Sequence, residues 1–233
     1  SLGTGAKLLY HNETSHGSSD VDYDRIQNAA LLILLLYFVL SIGCFFSLLS
    51  THMAPFHALC YTLSTVSTGG FSSGISYFSG TQQIVLIIFM VLGGVNFLSF
   101  LRLLREGFWQ FRLEHETLLY GGLLLGFTMV AGMLLLLQSE GQQVKECFQS
   151  AAFHVVSFMT TTGFVQEDYN RWWPGAQALL MLAMCIGGSS GSTSGGIKVV
   201  RFATVLMACL QHVEKLFRPR LVRLVRFNQK TWE

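Results

Sequence analysis

The residues whose types and order could handle an ion are Ser67-Thr68-Gly69-Gly70-Phe71 and Thr160-Thr161-Thr162-Gly163-Phe164, where hydroxyl side chains run into a Gly-Phe pair twice. A dehydrated cation must exchange its water shell for other oxygens, and backbone carbonyls supply them without strong anionic trapping. Glycine allows the backbone to turn such a carbonyl inward. One copy of the pattern is a weak signal and could be an ordinary turn. Gly163, however, lies 93 residues after Gly70, and the same offset carries Ala58 onto Ala151, Ser64 onto Ser157 and Thr68 onto Thr161. One supersecondary unit has been duplicated.

A third stretch, Gly187-Gly188-Ser189-Ser190-Gly191-Ser192-Thr193-Ser194-Gly195-Gly196, contains nothing larger than threonine. Small residues let membrane helices approach closely, but ten in succession exceed what packing needs and predict an irregular loop. It lacks the Gly-Lys-Ser/Thr ending of a phosphate loop, so nucleotide binding is not expected here.

These segments must be positioned by elements suited to lipid. Of all residues 51% are hydrophobic and 12% charged, about half the charge of an average soluble domain. So small a charged stock excludes a water-soluble surface. Ala29 to Ser50, Ile84 to Leu104 and Leu118 to Leu137 are nearly uncharged runs, each long enough to cross a ~30 Å hydrocarbon core as a helix. Ala176 to Leu210 is a fourth, interrupted at Gly187 to Gly196, with Lys198 and Arg201 in its second half. Met53 to Val66 and Cys147 to Met159 are too short to span and predict helices that dip in and return. Each leads straight into one Gly-Phe segment. Non-helical backbone at that depth is tolerated only when buried or lining water, so both loops are expected to face a pore. The C-terminal dipole ends of the short helices would favour a cation there.

Arg102, Arg105 and Arg112 flank one loop, and Lys215, Arg218, Arg220, Arg223, Arg226 and Lys230 fill the tail. Basic residues gather on the cytoplasmic side, which places 51–83 and 139–175 outside; those hold only Lys145 and Arg171. Anionic lipid would attract the same cytoplasmic charges. Cys44, Cys60, Cys147, Cys185 and Cys209 lack the close pairing of a metal site and read as packing residues. His57 and His154 read as packed or hydrogen-bonded, and Trp172 and Trp173 as an outer interfacial belt.

The Thr68–Phe71, Thr161–Phe164 and Gly187–Lys198 segments closely resemble the Trk/Ktr/HKT superfamily of potassium transporters, and most of all the second and third pore repeats of the bacterial Trk-type membrane subunit. The resemblance implies an all-α integral membrane fold of repeated helix, pore helix, filter loop and helix units, with a broken helix in the last. On that reading 1–28 is a cytoplasmic linker. Residues 29–105 form one repeat with pore helix 53–66, filter 67–71 and helix 84–104. After a loop at 106–116, residues 117–213 form another, with helix 117–138, pore helix 147–159, filter 160–164 and broken helix 175–213. A basic linker, 214–233, follows.

The resemblance further implies potassium held by the carbonyls of Thr68, Gly69, Thr161 and Thr162, with Gly70 and Gly163 completing the two filter segments. The Gly187–Gly196 loop would restrict passage beneath them. Gly93-Gly94-Val95-Asn96-Phe97 matches a family pattern, so Asn96 is expected in the cavity. Lys198 is expected there too, or snorkelling to headgroups. A homodimer in the bacterial inner membrane, a cytoplasmic nucleotide-binding regulatory subunit, membrane lipid, no covalent cofactor and no nucleic acid complete the implied partners.

The family builds a pore from four repeats, and this sequence shows two. Either it belongs to a longer chain, which its linker-like ends favour, or two copies assemble the pore by twofold symmetry. A sodium-conducting member of the superfamily is one alternative function. Another is an intramembrane serine protease, since Gly188-Ser189-Ser190-Gly191 carries the Gly-x-Ser-Gly pattern of rhomboid-like enzymes. Such an enzyme needs a histidine within about 3 Å of its serine. Neither His154 nor His212 is expected near Ser190.

Overall fold

The computed structural model describes residues 23–74, 77–106, 115–138, 143–217, 225–227 and 230–232. Of the expected linker 1–28, residues 1–22 lie outside them, as do the basic residues Arg112, Arg218, Arg220 and Arg223, while 23–28 belong to the first helix. Helix α1 (Tyr23–Ser50) is a long apolar rod whose outer side exposes Leu31, Leu34, Phe38 and Phe46. Its C-terminal half seats Cys44 and Leu48 fully in the core. The chain then reverses, and Pro55 opens α2 (Pro55–Val66), where a missing N–H and a preset φ suit the first turn. At about 1.5 Å per residue this helix is half a membrane deep. Ala58, Tyr61, Ser64, Thr65 and Val66 bury its inner face.

A Ser79–Gln82 capping box starts α3 (Gly80–Gly94), and α4 (Phe97–Glu106) follows. The single helix expected over 84–104 is therefore divided. Val95 is extended, and the Asn96 side chain accepts the Leu98 N–H at 2.9 Å, starting a new helix. The carbonyls freed at Gly93 and Gly94 find their donors in a distant loop described below, which compensates the break.

The second unit repeats the plan. Helix α5 (His115–Gln138) spans, α6 (Val144–Met159) dips, a 3₁₀ turn (Tyr169–Arg171) rises, and α7 (Pro174–Ile186) returns. The pore helix begins at Val144, earlier than the expected 147, so that Glu146 falls in its first turn, where the helix dipole favours an anion. Helix α8 (Val199–Phe217) completes the broken span. In the tail, β1 (Val225–Phe227) and β2 (Lys230–Trp232) pair antiparallel, six strand residues in an otherwise helical fold.

Among the described residues, Ala30–Ser50 and His115–Gln138 are long and apolar enough to cross a membrane; Gly80–Gly94 and Pro174–Ile186 are shorter apolar helices. The core between them is aromatic. Tyr61 meets Phe78 at 5.0 Å and Phe164 at 5.6 Å, both edge-on, while Phe153 packs on Phe78. These rings come from both repeats and join them into one body.

Candidate functional site

The two short helices end alike. Ser67 N–H donates to Leu63 O and Thr160 N–H to Val156 O; one residue on, Thr68 donates to Thr65 O and Thr161 to Phe158 O. Thr68 and Thr161 then take φ of 52° and 57°, a left-handed conformation that is a real outlier for a β-branched residue. Gly70 and Gly163 follow at 73° and 79°. Identical strain at equivalent positions shows that both loops are built to one design.

The loops also meet. A Cβ placed on Gly70 would stand 2.1 Å from the Thr162 carbonyl oxygen and 3.9 Å from the Gly163 Cα, so only glycine allows this approach. Gly69 donates to Ser64 O at 2.8 Å and Gly163 to Ser157 O at 3.1 Å, leaving both segments folded back on their pore helices. Thr162 is buried, its hydroxyl 2.8 Å from that of Thr160.

Behind the second loop, His154 is fully buried, its Nδ1 bonded to Ser150 O at 2.9 Å and its Nε2 accepting from the N–H groups of Gln166 and Glu167. Trp172 closes over that imidazole, ring centres 4.7 Å apart, and is 6% exposed. It is thus a core residue, not the interfacial one expected, whereas Trp173 is 55% exposed. His57 binds the Ser73 hydroxyl at 2.7 Å.

Between α7 and α8 the Gly187–Gly196 segment forms a non-helical loop lodged beneath both Gly-Phe segments. Its ends cross tightly, since a Cβ on Gly187 would lie 2.2 Å from Gly195 O. Thr68 Oγ1 donates to Thr193 O at 2.9 Å, and Thr161 Oγ1 accepts from Gly195 N–H at 2.7 Å. The two equivalent threonines therefore hold one loop from two sides. Ser189 N–H donates to Gly94 O and Thr193 N–H to Gly93 O, while the single Thr193 hydroxyl proton is shared between Val66 O at 3.0 Å and Gly93 O at 3.1 Å. The break in the first repeat's returning helix is where the loop inserts.

Asn96 and Lys198, expected to line a cavity, are both engaged with this loop. Asn96 is 6% exposed and lies against Gly191, whose carbonyl accepts from Phe97 N–H. Lys198 Nζ turns back to donate to Ser194 O at 3.1 Å and Ser192 O at 3.5 Å. Asn96 is buried and its side chain finds a backbone partner, as a buried polar group must, whereas half-buried Lys198 serves two loop carbonyls.

Sequence reasoning missed Glu116. This carboxylate, at the start of α5 and 2% exposed, accepts from Ser190 N–H through Oε1 and from Ser190 Oγ at 2.9 Å through Oε2. Its partner lies 74 residues away, beyond any local pattern, although an acidic residue opening an apolar span was a visible anomaly. Ser190 thus meets a carboxylate, and His154 is engaged elsewhere. Among the described residues the serine–histidine pair of a rhomboid-like protease is not formed.

Residues 1–112 and 127–233 match TrkH, the cation transport protein family. The chain belongs to that family. This TrkH-family chain is 31% identical over 235 residues to the Trk system potassium uptake protein TrkH of Halomonas elongata, covering 98% of itself and 48% of that relative. To TrkI of the same organism it is 29% identical over 240 residues, covering 98% and 47%. The Escherichia coli K12 TrkH is 28% identical over 235 residues, covering 98% and 49%. The crystal structure of the potassium transporter TrkH from Vibrio parahaemolyticus superposes with a TM-score of 0.83 at 25% identity, over 95% of this chain and 48% of that one. The TrkH-family chain spans about half the length of the relatives it matches.

Proposed function

We propose that this chain contributes two of the filter loops and the intramembrane gate of a pore that takes up potassium across the bacterial inner membrane. The observation that carries the reading is the abutment of Gly70 on Thr162 and Gly163, which draws two equivalent loops together from separate repeats. The names of the chain's relatives, potassium uptake proteins, support potassium as the ion. A partly dehydrated ion passes the carbonyls of Thr68, Gly69 and Gly70 and of Thr161, Thr162 and Gly163. It then waits above the Gly187–Gly196 loop, whose displacement opens the way inward. On the family resemblance the assembly is a homodimer, with a nucleotide-binding regulatory subunit docked on its cytoplasmic face.

The test is rubidium and sodium uptake into liposomes by the full-length protein. Deleting 187–196 raises resting uptake, and Gly70→Ser or Gly163→Ser relaxes the preference for potassium over sodium, because each side chain disturbs the carbonyl ring. Equal potassium and sodium permeation in the unaltered protein would remove the potassium assignment. Uptake that ignores the deletion would remove the gate.

A further inference from the structure

We infer that Glu116 is a positioning residue for the loop: it latches Ser190 and couples the seating of Gly187–Gly196 to the start of α5. The inference rests on the reading of that loop as the gate.

A carboxylate taken out of water is costly unless its oxygens are hydrogen-bonded. Glu116 meets that demand on the loop, using one oxygen for the Ser190 backbone N–H and the other for its hydroxyl. Hydrogen bonds to an ionised acceptor are roughly twice as strong as neutral ones. The positive end of the α5 dipole steadies the charge further, since Glu116 stands in the first turn. Neither a packing role nor simple helix-dipole matching requires both oxygens to converge on one loop residue.

Ser190 is also the middle of a three-residue clasp. Ser189 N–H is held by Gly94 O at 2.9 Å, and Gly191 O by Phe97 N–H at 3.2 Å. Those flanking bonds are neutral and backbone-borne, so they belong to the fixed break between α3 and α4. The Glu116 contact alone in this clasp joins the loop by charge, and alone comes from the second repeat's first helix. Helix α5 begins directly after the connection between repeats, 107–114, on the side the basic residues mark as cytoplasmic. A shift at that end of α5 would withdraw the carboxylate from Ser190 while the filter-side anchors at Thr68 and Thr161 stayed in place. The loop would then hinge rather than detach.

The experiment compares resting rubidium uptake and the potassium-to-sodium permeability ratio of the full-length protein in liposomes, with Glu116→Ala, Glu116→Gln, Ser190→Ala and the Glu116→Ala/Ser190→Ala double variant. Loss of the two bonds to the carboxylate raises resting uptake about tenfold in Glu116→Ala. Ser190→Ala, which keeps the backbone bond, raises it less, and the double variant no further than Glu116→Ala. The permeability ratio stays unchanged in all, which a general loosening of the fold would not allow. If Glu116→Ala does not fold, Glu116→Gln and Ser190→Ala carry the same test. Unchanged uptake in the folded variants, beside increased uptake on deleting 187–196, overturns the latch and spares the gate. No response to the deletion either overturns both.

Discussion

The two filter-like loops share backbone geometry but not surroundings. Phe164 of the second is 3% exposed, edge-on to Tyr61 of the first repeat, and its carbonyl accepts from Ser157 Oγ at 2.7 Å. Phe71 of the first is 79% exposed, and the equivalent Ser64 hydroxyl is buried without a hydrogen-bond partner among the described residues. The glycines differ in the opposite sense: a Cβ on Gly70 collides with the second loop, and one on Gly163 meets open space. The two loops therefore meet in one interface, through Gly70 on the first side and the Phe164 ring, against the first repeat's pore helix, on the second. Phe71 on one side and Gly163 on the other are left uncovered by the described residues.

The contrast can be broken most decisively at the aromatics. Phe164→Ala should destabilise by about 3–5 kcal/mol, since it empties a buried ring site. Phe71→Ala should cost far less, and thermal unfolding in detergent gives both numbers. Equal losses would mean that another part of the full-length protein covers Phe71, and would turn the contrast into a map of that contact.

A smaller effect separates the glycines. Both adopt a left-handed φ, so alanine brings strain on the order of 1 kcal/mol at either. Gly70→Ala adds a clash with Thr162 O and should be the more damaging in stability and in potassium-over-sodium preference, read by the same unfolding and flux measurements. If Gly163→Ala is the worse of the two, the open flank beside it is occupied.

The serines offer the finest discrimination. Ser157→Ala removes a buried bond and should cost about 1–2 kcal/mol. Ser64→Ala deletes a hydroxyl with no partner among the described residues and should be neutral or slightly stabilising in chemical denaturation. A loss at Ser64 matching that at Ser157 would show that a group from elsewhere satisfies it.

Much of this architecture was legible in the residues. Half-length apolar runs, their repetition at a fixed offset and a decapeptide of small residues are local patterns, and hydrophobicity and side-chain size act locally enough to declare helix, dip and break. The split after Gly94 was less visible, because an apolar run from Ile84 to Leu104 reads as continuous. Two glycines followed by Asn96, a residue able to cap, were the available sign. What makes the break stable is not local: the carbonyls of Gly93 and Gly94 need donors, and these come from Ser189 and Thr193, roughly a hundred positions on.

Composition, periodicity and a repeated motif by themselves marked the membrane setting, the duplicated unit and the three segments that the fold brings together. Only the tertiary structure decided that Thr68 and Thr161 grip the same loop, that Lys198 and Asn96 turn to it, that Trp172 covers His154 and that Glu116 holds Ser190. Hydropathy reports what a segment avoids. It does not report which distant partner satisfies a buried polar atom, because that choice is made when helices far apart in the chain are packed together and each donor must find its acceptor.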